Sequence, residues 1–308
     1  MKKNFFKSIL IIGGTGFLGS HLCSFLIKKK KRVMSLSRKK PSKKFKINNV
    51  KYFQCDISKK KKLIQQLKKI KNVKYVINLG GEVDHKNSNK VYQSHFQGTK
   101  FLAEYFLNLK LTKFIQVGSS MEYGHYKSPQ AEREVCKPIS NYGKAKYLAS
   151  KFLIDLNLKK NFPSIVLRPY QVYGPNQSDN RMIPYVIKNC LKNSSFPCSH
   201  GKQFRDFLYI SDFLEAIYKL IISDKKTNGQ IFNIGYGKPS NLKKLIILIK
   251  KKIKFGKPQF GIINMRNEEN LKTYPNIVKI YKYIKWRPKI SLEKGLKSTI
   301  KFYKNNNL

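Results

Sequence analysis

A glycine-rich turn near the start of the chain limits the possible folds more than any other feature. It lies between an apolar, strand-like run, Ile9–Ile12, and a helical pattern from about Leu18 to Lys30. Glycine permits a tight turn, lets a backbone approach a phosphate, and lets the helix pack closely on the strand. The N–H groups at such a helix start bind anions. We therefore expect dinucleotide phosphates to contact Gly13, Thr15, Gly16, Phe17, Leu18 and Gly19.

Strand-like and helical patterns alternate as far as about Tyr173. The expected strands are Ile9–Ile12, Val33–Ser37, Lys51–Cys55, Tyr75–Leu79, Phe114–Val117 and Ser164–Leu167, with helices near Leu63–Ile70, Thr99–Leu109 and Lys144–Leu156. This alternation predicts an α/β fold with a doubly wound parallel sheet. We assign residues 1–173 and 207–236 to a dinucleotide-binding domain, and residues 174–206 and 237–308 to a substrate lobe.

Composition excludes several classes of protein. The chain has 308 residues, 41% of them hydrophobic, which is typical of a globular protein. No apolar run reaches the roughly 18 residues of a membrane helix, so we expect a cytoplasmic protein that does not bind membranes. Five cysteines are scattered without a Cys-x-x-Cys pair, which indicates free thiols and no metal site.

The formal net charge of +48 raises the question of a nucleic-acid partner. Lysine outnumbers arginine 56 to 8, and the lysines are spread over the whole chain. A dedicated reader of RNA or DNA uses the planar guanidinium more often. We therefore favour compositional drift over nucleic-acid binding, while the positive field can still attract anionic substrates.

The end of the second expected strand bears on the choice of cofactor. NAD enzymes commonly place an acidic residue here for the ribose 2′-hydroxyl, whereas this chain has Ser37 and Arg38. A hydroxyl and a guanidinium suit a 2′-phosphate, so the pair favours NADP, with NAD as the alternative. Arg38 can also simply begin the basic loop that follows.

Tyr142 and Lys146 are four residues apart in an expected helix and therefore share one face. An ammonium group near a phenol favours the phenolate, which would lower the tyrosine pKa toward the working pH. Ser119 and Ser120 precede this helix at the end of an expected strand. A serine at a strand end can also do no more than cap a turn.

Four motifs occur in a fixed order: Gly-Gly-x-Gly-x-x-Gly, Ser-Ser-x-x-Tyr-Gly, Tyr-x-x-x-Lys and Leu-Arg-Pro. In this the chain resembles the extended short-chain dehydrogenase/reductases, also called the NAD-dependent epimerase/dehydratase family. The resemblance covers nearly the whole chain. It implies a Rossmann fold with a smaller C-terminal substrate-binding lobe and activity on a nucleotide-diphosphate sugar.

The resemblance also implies roles for individual residues. Tyr142 would be the general acid/base, Lys146 would bind the nicotinamide ribose, and Ser119 would hydrogen-bond the reacting sugar oxygen. Further cofactor contacts would be Asp56, Ile57, Leu79, Gly80, Gly81, Tyr170 and Val172. The substrate would contact Ser119, Ser120, Gln171, Arg181 and Arg205, the last gripping the diphosphate.

Several alternatives for the reaction stay open. Dehydratases of the resembled family carry acidic residues just after the catalytic Ser or Thr, where this chain has Ser120 and Met121, followed by Glu122. A 4-keto-sugar reductase using NADPH is our first expectation, an NAD-retaining 4-epimerase the second, and a non-catalytic RNA-binding protein the most distant. A homodimer through Thr99–Leu109 and Lys144–Leu156 is also expected, although apolar residues such as Leu102 and Phe106 can equally face the core.

Overall fold

The computed structural model describes residues 8–43, 46–82, 84, 87–265 and 270–306. The chain forms two compact units. The first contains the described residues of Met1–Gly124, Val135–Arg168 and Ile217–Phe232, and the second those of His125–Glu134, Pro169–Ala216 and Asn233–Leu308. Within the described ranges, no helix is long and apolar enough to span a bilayer.

A parallel sheet of seven strands forms the centre of the first unit. The strands are β1 (Ser8–Ile12), β2 (Val33–Ser37), β3 (Val50–Gln54), β4 (Val73–Asn78), β5 (Lys113–Val117), β6 (Ser164–Pro169) and β10 (Ile231–Ile234). Their spatial order is β10-β6-β5-β4-β1-β2-β3, so the connections reverse direction between β1 and β4. Ligands bind at the carboxyl ends of the strands beside such a switch point.

Helices connect these strands: α1 (Phe17–Lys28), α2 (Lys60–Lys68), α3 (Ser88–Tyr92), α4 (Gly98–Leu107) and α5 (Asn141–Lys160). A π-helical turn, Gln93–Gln97, interrupts the run from α3 to α4. Strand β1 is buried over its whole length, as its unbroken apolar sequence predicts for a strand covered on both faces. The expected doubly wound parallel sheet is therefore confirmed.

The second unit is built around β9. Its elements are β7 (Gln171–Tyr173), α6 (Met182–Leu191), β8 (Ser195–Cys198), β9 (Phe204–Tyr209), β11 (Pro239–Asn241), α8 (Leu242–Ile253), β12 (Lys257–Phe260), β13 (Lys272–Thr273), α9 (Val278–Ile284) and α10 (Leu292–Asn305). Strand β9 pairs with β7, β11 and β13, while β12 pairs with β8. One apolar core joins α6, α8 and α10. Helix α7 (Ile210–Ile222) has residues in both units.

The bounds of the units differ from the predicted domain bounds. Residues 125–134 belong to the second unit because the backbone of Gln130 pairs with Tyr274 and Asn276. Residues 171–173 belong there because β7 pairs with β9. Compactness does not assign a ligand to either unit, so the predicted binding roles of the two parts stay predictions.

Helix α4 packs into the core of the first unit. Leu102 and Phe106, which were candidates for a dimer contact, are buried in its apolar cluster, and Phe101 and Tyr105 pack against it. Leu109, just beyond the helix, is 48% exposed. Most of the apolar face of α4 therefore stabilises the unit itself, and the homodimer stays a prediction.

Candidate active site

The glycine-rich turn joins β1 to α1 as expected. Gly13 adopts a φ of +80°, a left-handed conformation that few residues other than glycine take. A side chain at Gly19 would collide with the carbonyl oxygen of Gly13, so this glycine lets α1 pack on the turn. Gly16 caps α1 without a side-chain hydrogen bond, and a Cβ there would meet only Gly13 O, at 3.5 Å. The turn is thus a cradle that is open at Gly16, at the N-terminus of α1, and it fits a pyrophosphate.

Thr15, Phe17 and Leu18 lie in this cradle or in the first turn of α1, and all three are half-buried. The N–H of Thr15 donates to Ser37 Oγ at 3.3 Å, which ties the turn to the end of β2. Ser37 is buried, and its hydroxyl also lies 3.5 Å from that of Ser35. The Ser37 side chain therefore takes part in holding the glycine-rich turn.

Arg38, which follows β2, forms an ion pair with Glu82, which follows the loop after β4. Its Nη1 atom lies 2.6 Å from Glu82 Oε2, and its Nη2 atom 3.5 Å from Oε1. A guanidinium held by a carboxylate offers less positive charge to a 2′-phosphate. The NADP preference expected from Ser37 and Arg38 thus loses its main support.

Asp56 and Ile57 follow β3. A carboxylate oxygen of Asp56 accepts the N–H of Ser58 at 2.9 Å, and this bond shapes the turn into α2. Ile57 is buried beneath two glycines, and a Cβ at Gly80 or Gly98 would press on its side chain. Its apolar side chain therefore supports the loop after β4.

That loop contains Leu79, Gly80 and Gly81. The N–H of Leu79 donates to the carbonyl of Ile12 at the end of β1, at 3.0 Å. Gly81 has a φ of +147°, and a Cβ there would overlap the imidazole of His95. Because β4 lies next to β1, the loop stands beside the glycine-rich turn.

His95 belongs to the π-helical turn and lies between this loop and Tyr142. Its Nε2 atom lies 3.0 Å from the carbonyl oxygen of Glu82. Its ring meets that of Tyr142 edge to face, with 5.1 Å between centroids. His95 is buried, and its ring packs between Gly81 and Tyr142. π-Helical turns are frequent at functional sites.

Ser119 follows β5 and caps a short 3₁₀ turn, Ser120–Tyr123. Its Oγ accepts the N–H of Met121 at 3.1 Å, and its own N–H donates to Glu122 Oε1 at 2.9 Å. The hydroxyl thus caps a turn as an acceptor, and its proton can still be donated to another group. Ser120 is half-buried, whereas the side chain of Met121 is 46% exposed.

The carboxylate of Glu122 is fully buried and pairs with Arg168 of β6, with 2.8 Å between Oε2 and Nε. Gly118 makes room for it, because a Cβ there would collide with Glu122 Oε1. The Arg168 guanidinium also stacks on the Tyr123 ring, at 4.6 Å from its centroid. Glu122 therefore holds the Ser119 turn in place.

Tyr142 and Lys146 lie one turn apart at the start of α5, which Ser140 caps through Gly143 N–H at 3.1 Å. The Lys146 ammonium donates to the carbonyl of Val117 at 2.7 Å and lies 5.8 Å from the Tyr142 ring centroid. Burial lowers the pKa of Lys146 to about 8, and the Glu122 carboxylate acts in the opposite direction. The first unit thus contains Ser119, Tyr142, Lys146 and the glycine-rich turn.

The remaining predicted residues lie in the second unit. Tyr170 is buried, and its hydroxyl donates to Gln130 Oε1 at 2.7 Å. Gln171 is exposed and Val172 half-buried on β7, while Arg181 is exposed at the start of α6. Arg205 on β9 donates to the carbonyls of Phe204 and Leu271, at 2.9 Å and 3.4 Å. Their contacts with cofactor or substrate stay predictions.

A profile of the "NAD dependent epimerase/dehydratase family" matches residues 9–235 of the chain. The chain belongs to this family. It is 30% identical to the "putative UDP-glucose 4-epimerase" of Methanocaldococcus jannaschii, over 97% of this chain and 99% of that protein.

Two solved structures share the fold. The UDP-glucose 4-epimerase of Thermotoga maritima, with UDP-glucose, has a TM-score of 0.90 at 24% identity and matches 97% of this chain and 99% of its own. The UDP-glucuronic acid 4-epimerase of Bacillus cereus, in complex with UDP-glucuronic acid and NAD, has a TM-score of 0.87 at 24% identity, covering 97% of this chain and all of its own. At 24% identity both likenesses show a shared fold, while the family profile and the Methanocaldococcus relative show the family.

Two features of the site were missed in the sequence. Glu82 directly follows Gly81, so an acidic residue after the expected strand Tyr75–Leu79 was a usable signal. The pairing of Glu122 with Arg168 had no such signal, because it depends on the packing of β6 beside β5. The described residues bring together no group of three or more His, Cys, Asp or Glu side chains that could hold a metal.

Proposed function

We propose that the chain is a nucleotide-diphosphate-sugar 4-epimerase that works with bound NAD. The observation that carries this proposal is the arrangement of Ser119, Tyr142 and Lys146 after β5, at the same edge of the sheet as the glycine-rich turn after β1, with Arg38 held by Glu82. Ser119, Tyr142 and Lys146 suit the oxidation of a sugar hydroxyl and its reversal. The pairing of Arg38 with Glu82 removes the reason to expect NADPH, which a reductase would consume in each turnover.

The residues of the first unit fit a dinucleotide. The open cradle at Gly13–Gly19 would hold the pyrophosphate, and Leu79–Gly81 would line the same cofactor from β4. The family resemblance assigns Asp56 and Ile57 to the adenine and gives Tyr170 and Val172 as further cofactor contacts. When bound, the nicotinamide supplies a hydride acceptor and donor.

The chain's own residues would control the proton. Tyr142 as phenolate would take the proton of the sugar 4-hydroxyl and later return it to the 4-oxygen. Lys146 would stabilise the phenolate, since its ammonium lies near the ring and donates to Val117 O. Ser119 would donate its hydroxyl proton to the same sugar oxygen and so stabilise the carbonyl form.

The family resemblance assigns the charged and polar groups of the substrate to further residues. Arg205 would pair with the diphosphate, because a guanidinium binds phosphate oxygens through two parallel hydrogen bonds. Arg181, Gln171 and Ser120 would offer further polar contacts. The positive charge of the chain would raise the local concentration of such an anionic substrate.

The site does not favour dehydration. Removing water across C5 and C6 of the sugar needs an acid next to the serine, and Met121 cannot act as one. Glu122 is buried and bound to Arg168 and to the backbone of Ser119, so its carboxylate is already occupied.

A 4-keto-sugar reductase is the second candidate. Ser37 and Arg38 at the end of β2 favour it, since they suit the 2′-phosphate of NADPH if Arg38 leaves Glu82. The non-catalytic RNA-binding protein needs only the basic surface, and strong, salt-sensitive RNA binding without any turnover would support it.

A panel of nucleotide sugars and their 4-keto forms, UDP-glucose among them, distinguishes these activities. NMR identifies the products, and absorbance follows the nicotinamide. We expect a C4 epimer to form without added cofactor. Steady consumption of NADPH with a 4-keto sugar, and no epimer from any nucleotide sugar, would instead support the reductase.

A further inference from the structure

Glu82 is fixed by the backbone rather than by its ion pair. Its N–H donates to Ser94 Oγ at 2.9 Å, and its carbonyl oxygen lies 3.0 Å from His95 Nε2. Both partners belong to the π-helical turn, so two hydrogen bonds fix the backbone position of Glu82. Its side chain is only 15% exposed, against 50% for Arg38. The position of the carboxylate therefore depends on the backbone around it, and the more exposed Arg38 side chain packs against it.

This carboxylate lies next to the end of β2, the part of dinucleotide-binding folds that binds the adenine ribose. In dinucleotide-binding folds the end of the second strand faces the ribose 2′ position. Here the two residues at that end are both engaged: Ser37 Oγ accepts from Thr15 N, and Arg38 pairs with Glu82. Glu82 comes instead from the loop after β4, two strands away in the sheet order.

We propose that Glu82 makes this site select NAD over NADP, and so replaces the acidic residue that is missing at the end of β2. The inference rests on the proposed function in one respect, that a dinucleotide binds at the glycine-rich turn. A carboxylate accepts a hydrogen bond from a 2′-hydroxyl, whereas it repels a 2′-phosphate. It also holds the guanidinium that would otherwise pair with that phosphate.

The positive field of the whole chain acts on the choice of cofactor in the opposite direction to Glu82. With a net charge of +48, its field attracts the more highly charged NADP more strongly than NAD. Lys39 and Lys40, next to Arg38, are exposed and add to that attraction. Because salt screens charges beyond about 8–10 Å, a carboxylate next to the ribose acts on this choice more strongly than the distant lysines do.

Equilibrium dialysis of the purified protein, first freed of any nucleotide that co-purifies with it, against equal concentrations of NAD⁺ and NADP⁺ tests the proposal without any sugar. The bound nucleotides are released and quantified by chromatography. We expect the wild type to hold mainly NAD. Glu82→Gln should raise the bound NADP:NAD ratio by about tenfold or more, since it removes the repulsion and releases Arg38.

Two further variants make the test specific. In the double variant Glu82→Gln/Arg38→Gln most of the gain should disappear, because the released guanidinium supplies it. Glu104→Gln is the matched control: it removes the same charge from α4, where Glu104 meets Lys60 and Lys100 at 3.6 Å and 3.9 Å. The control should leave the ratio within about twofold of the wild type.

The proposal is overturned if the wild type prefers NADP, if Glu82→Gln leaves the ratio unchanged, or if Glu104→Gln raises it equally. A protein that binds neither nucleotide would also overturn it. NAD-selective binding without conversion of any nucleotide sugar would instead count against the epimerase alone, so the two proposals can fail separately.

Discussion

The buried pair of Glu122 and Arg168 gives the sharpest prediction for stability. Both side chains are almost fully buried, at 0% and 3% exposure, and their charged atoms lie 2.8 Å apart. Glu122→Gln keeps the volume of the side chain and an oxygen near Ser119 N–H, but it leaves the guanidinium without its counter-charge. Breaking one side of a buried pair typically costs 3–5 kcal/mol of the free energy of unfolding. We expect a loss near the lower end, about 3 kcal/mol, because the Tyr123 ring still covers the cation.

Urea denaturation of a double-mutant cycle measures this directly. Arg168→Met removes the cation and leaves an unpaired carboxylate, whereas Glu122→Gln/Arg168→Met removes both charges. The double variant should be more stable than the sum of the single losses predicts, by about 2 kcal/mol or more. Additive losses, or a Glu122→Gln variant within about 0.5 kcal/mol of the wild type, would refute this account of the pair.

The single variant Glu122→Gln should also change the pH dependence of turnover. Glu122 raises the pKa of Lys146 against the effect of burial, so its neutralisation should lower that pKa further. The alkaline limb of kcat should then move to lower pH. A limb that does not move would mean that Glu122 acts on Ser119 alone.

Three further predictions concern the site and the core. Tyr142→Phe should abolish turnover yet leave NAD binding unchanged, as measured by kinetics and calorimetry; near-normal activity would rule out its role as acid/base. Gly16→Ala should cost less than about 1 kcal/mol of stability but weaken NAD binding. Gly19→Ala should unfold the turn, because its Cβ would collide with Gly13. Thermal melts and nucleotide titrations check both variants. Burial lowers the pKa of Lys113 from 10.5 to about 8, so the folded chain holds fewer protons than the unfolded chain between these values. The stability of the wild type relative to Lys113→Met should therefore rise with pH across that window, and urea midpoints that show no such rise would contradict it.

Local patterns predicted the strands and helices well. Expected Val33–Ser37 coincides with β2, and expected Ile9–Ile12 and Phe114–Val117 each fall one residue short of β1 and β5, because each is a short, mainly apolar run. The bounds of α5 were less accurate: it begins at Asn141 because Ser140 caps it, and ends where Asn161 turns left-handed at a φ of +51°. Caps depend on single polar residues, which periodicity alone does not resolve.

The electrostatics of the site could not be predicted in the same way. Glu82 and Arg38 are 44 residues apart, and only the placement of β1 between β2 and β4 brings them together. An expectation based on residues next to each other in the sequence therefore assigned Arg38 to a phosphate and overlooked its carboxylate. Ser119, Tyr142 and Lys146 were predicted from motif order rather than from contacts, and their catalytic roles stay predictions.

Epimerisation of a nucleotide sugar that carries deuterium at C4 tests the central claim most directly. The purified protein receives this substrate with no added cofactor, and NMR follows the product. The account predicts the C4 epimer with the deuterium still at C4, because hydrogen leaves and returns within one site. Formation of no epimer, together with reduction of a 4-keto sugar only when NADH or NADPH is supplied, would contradict it.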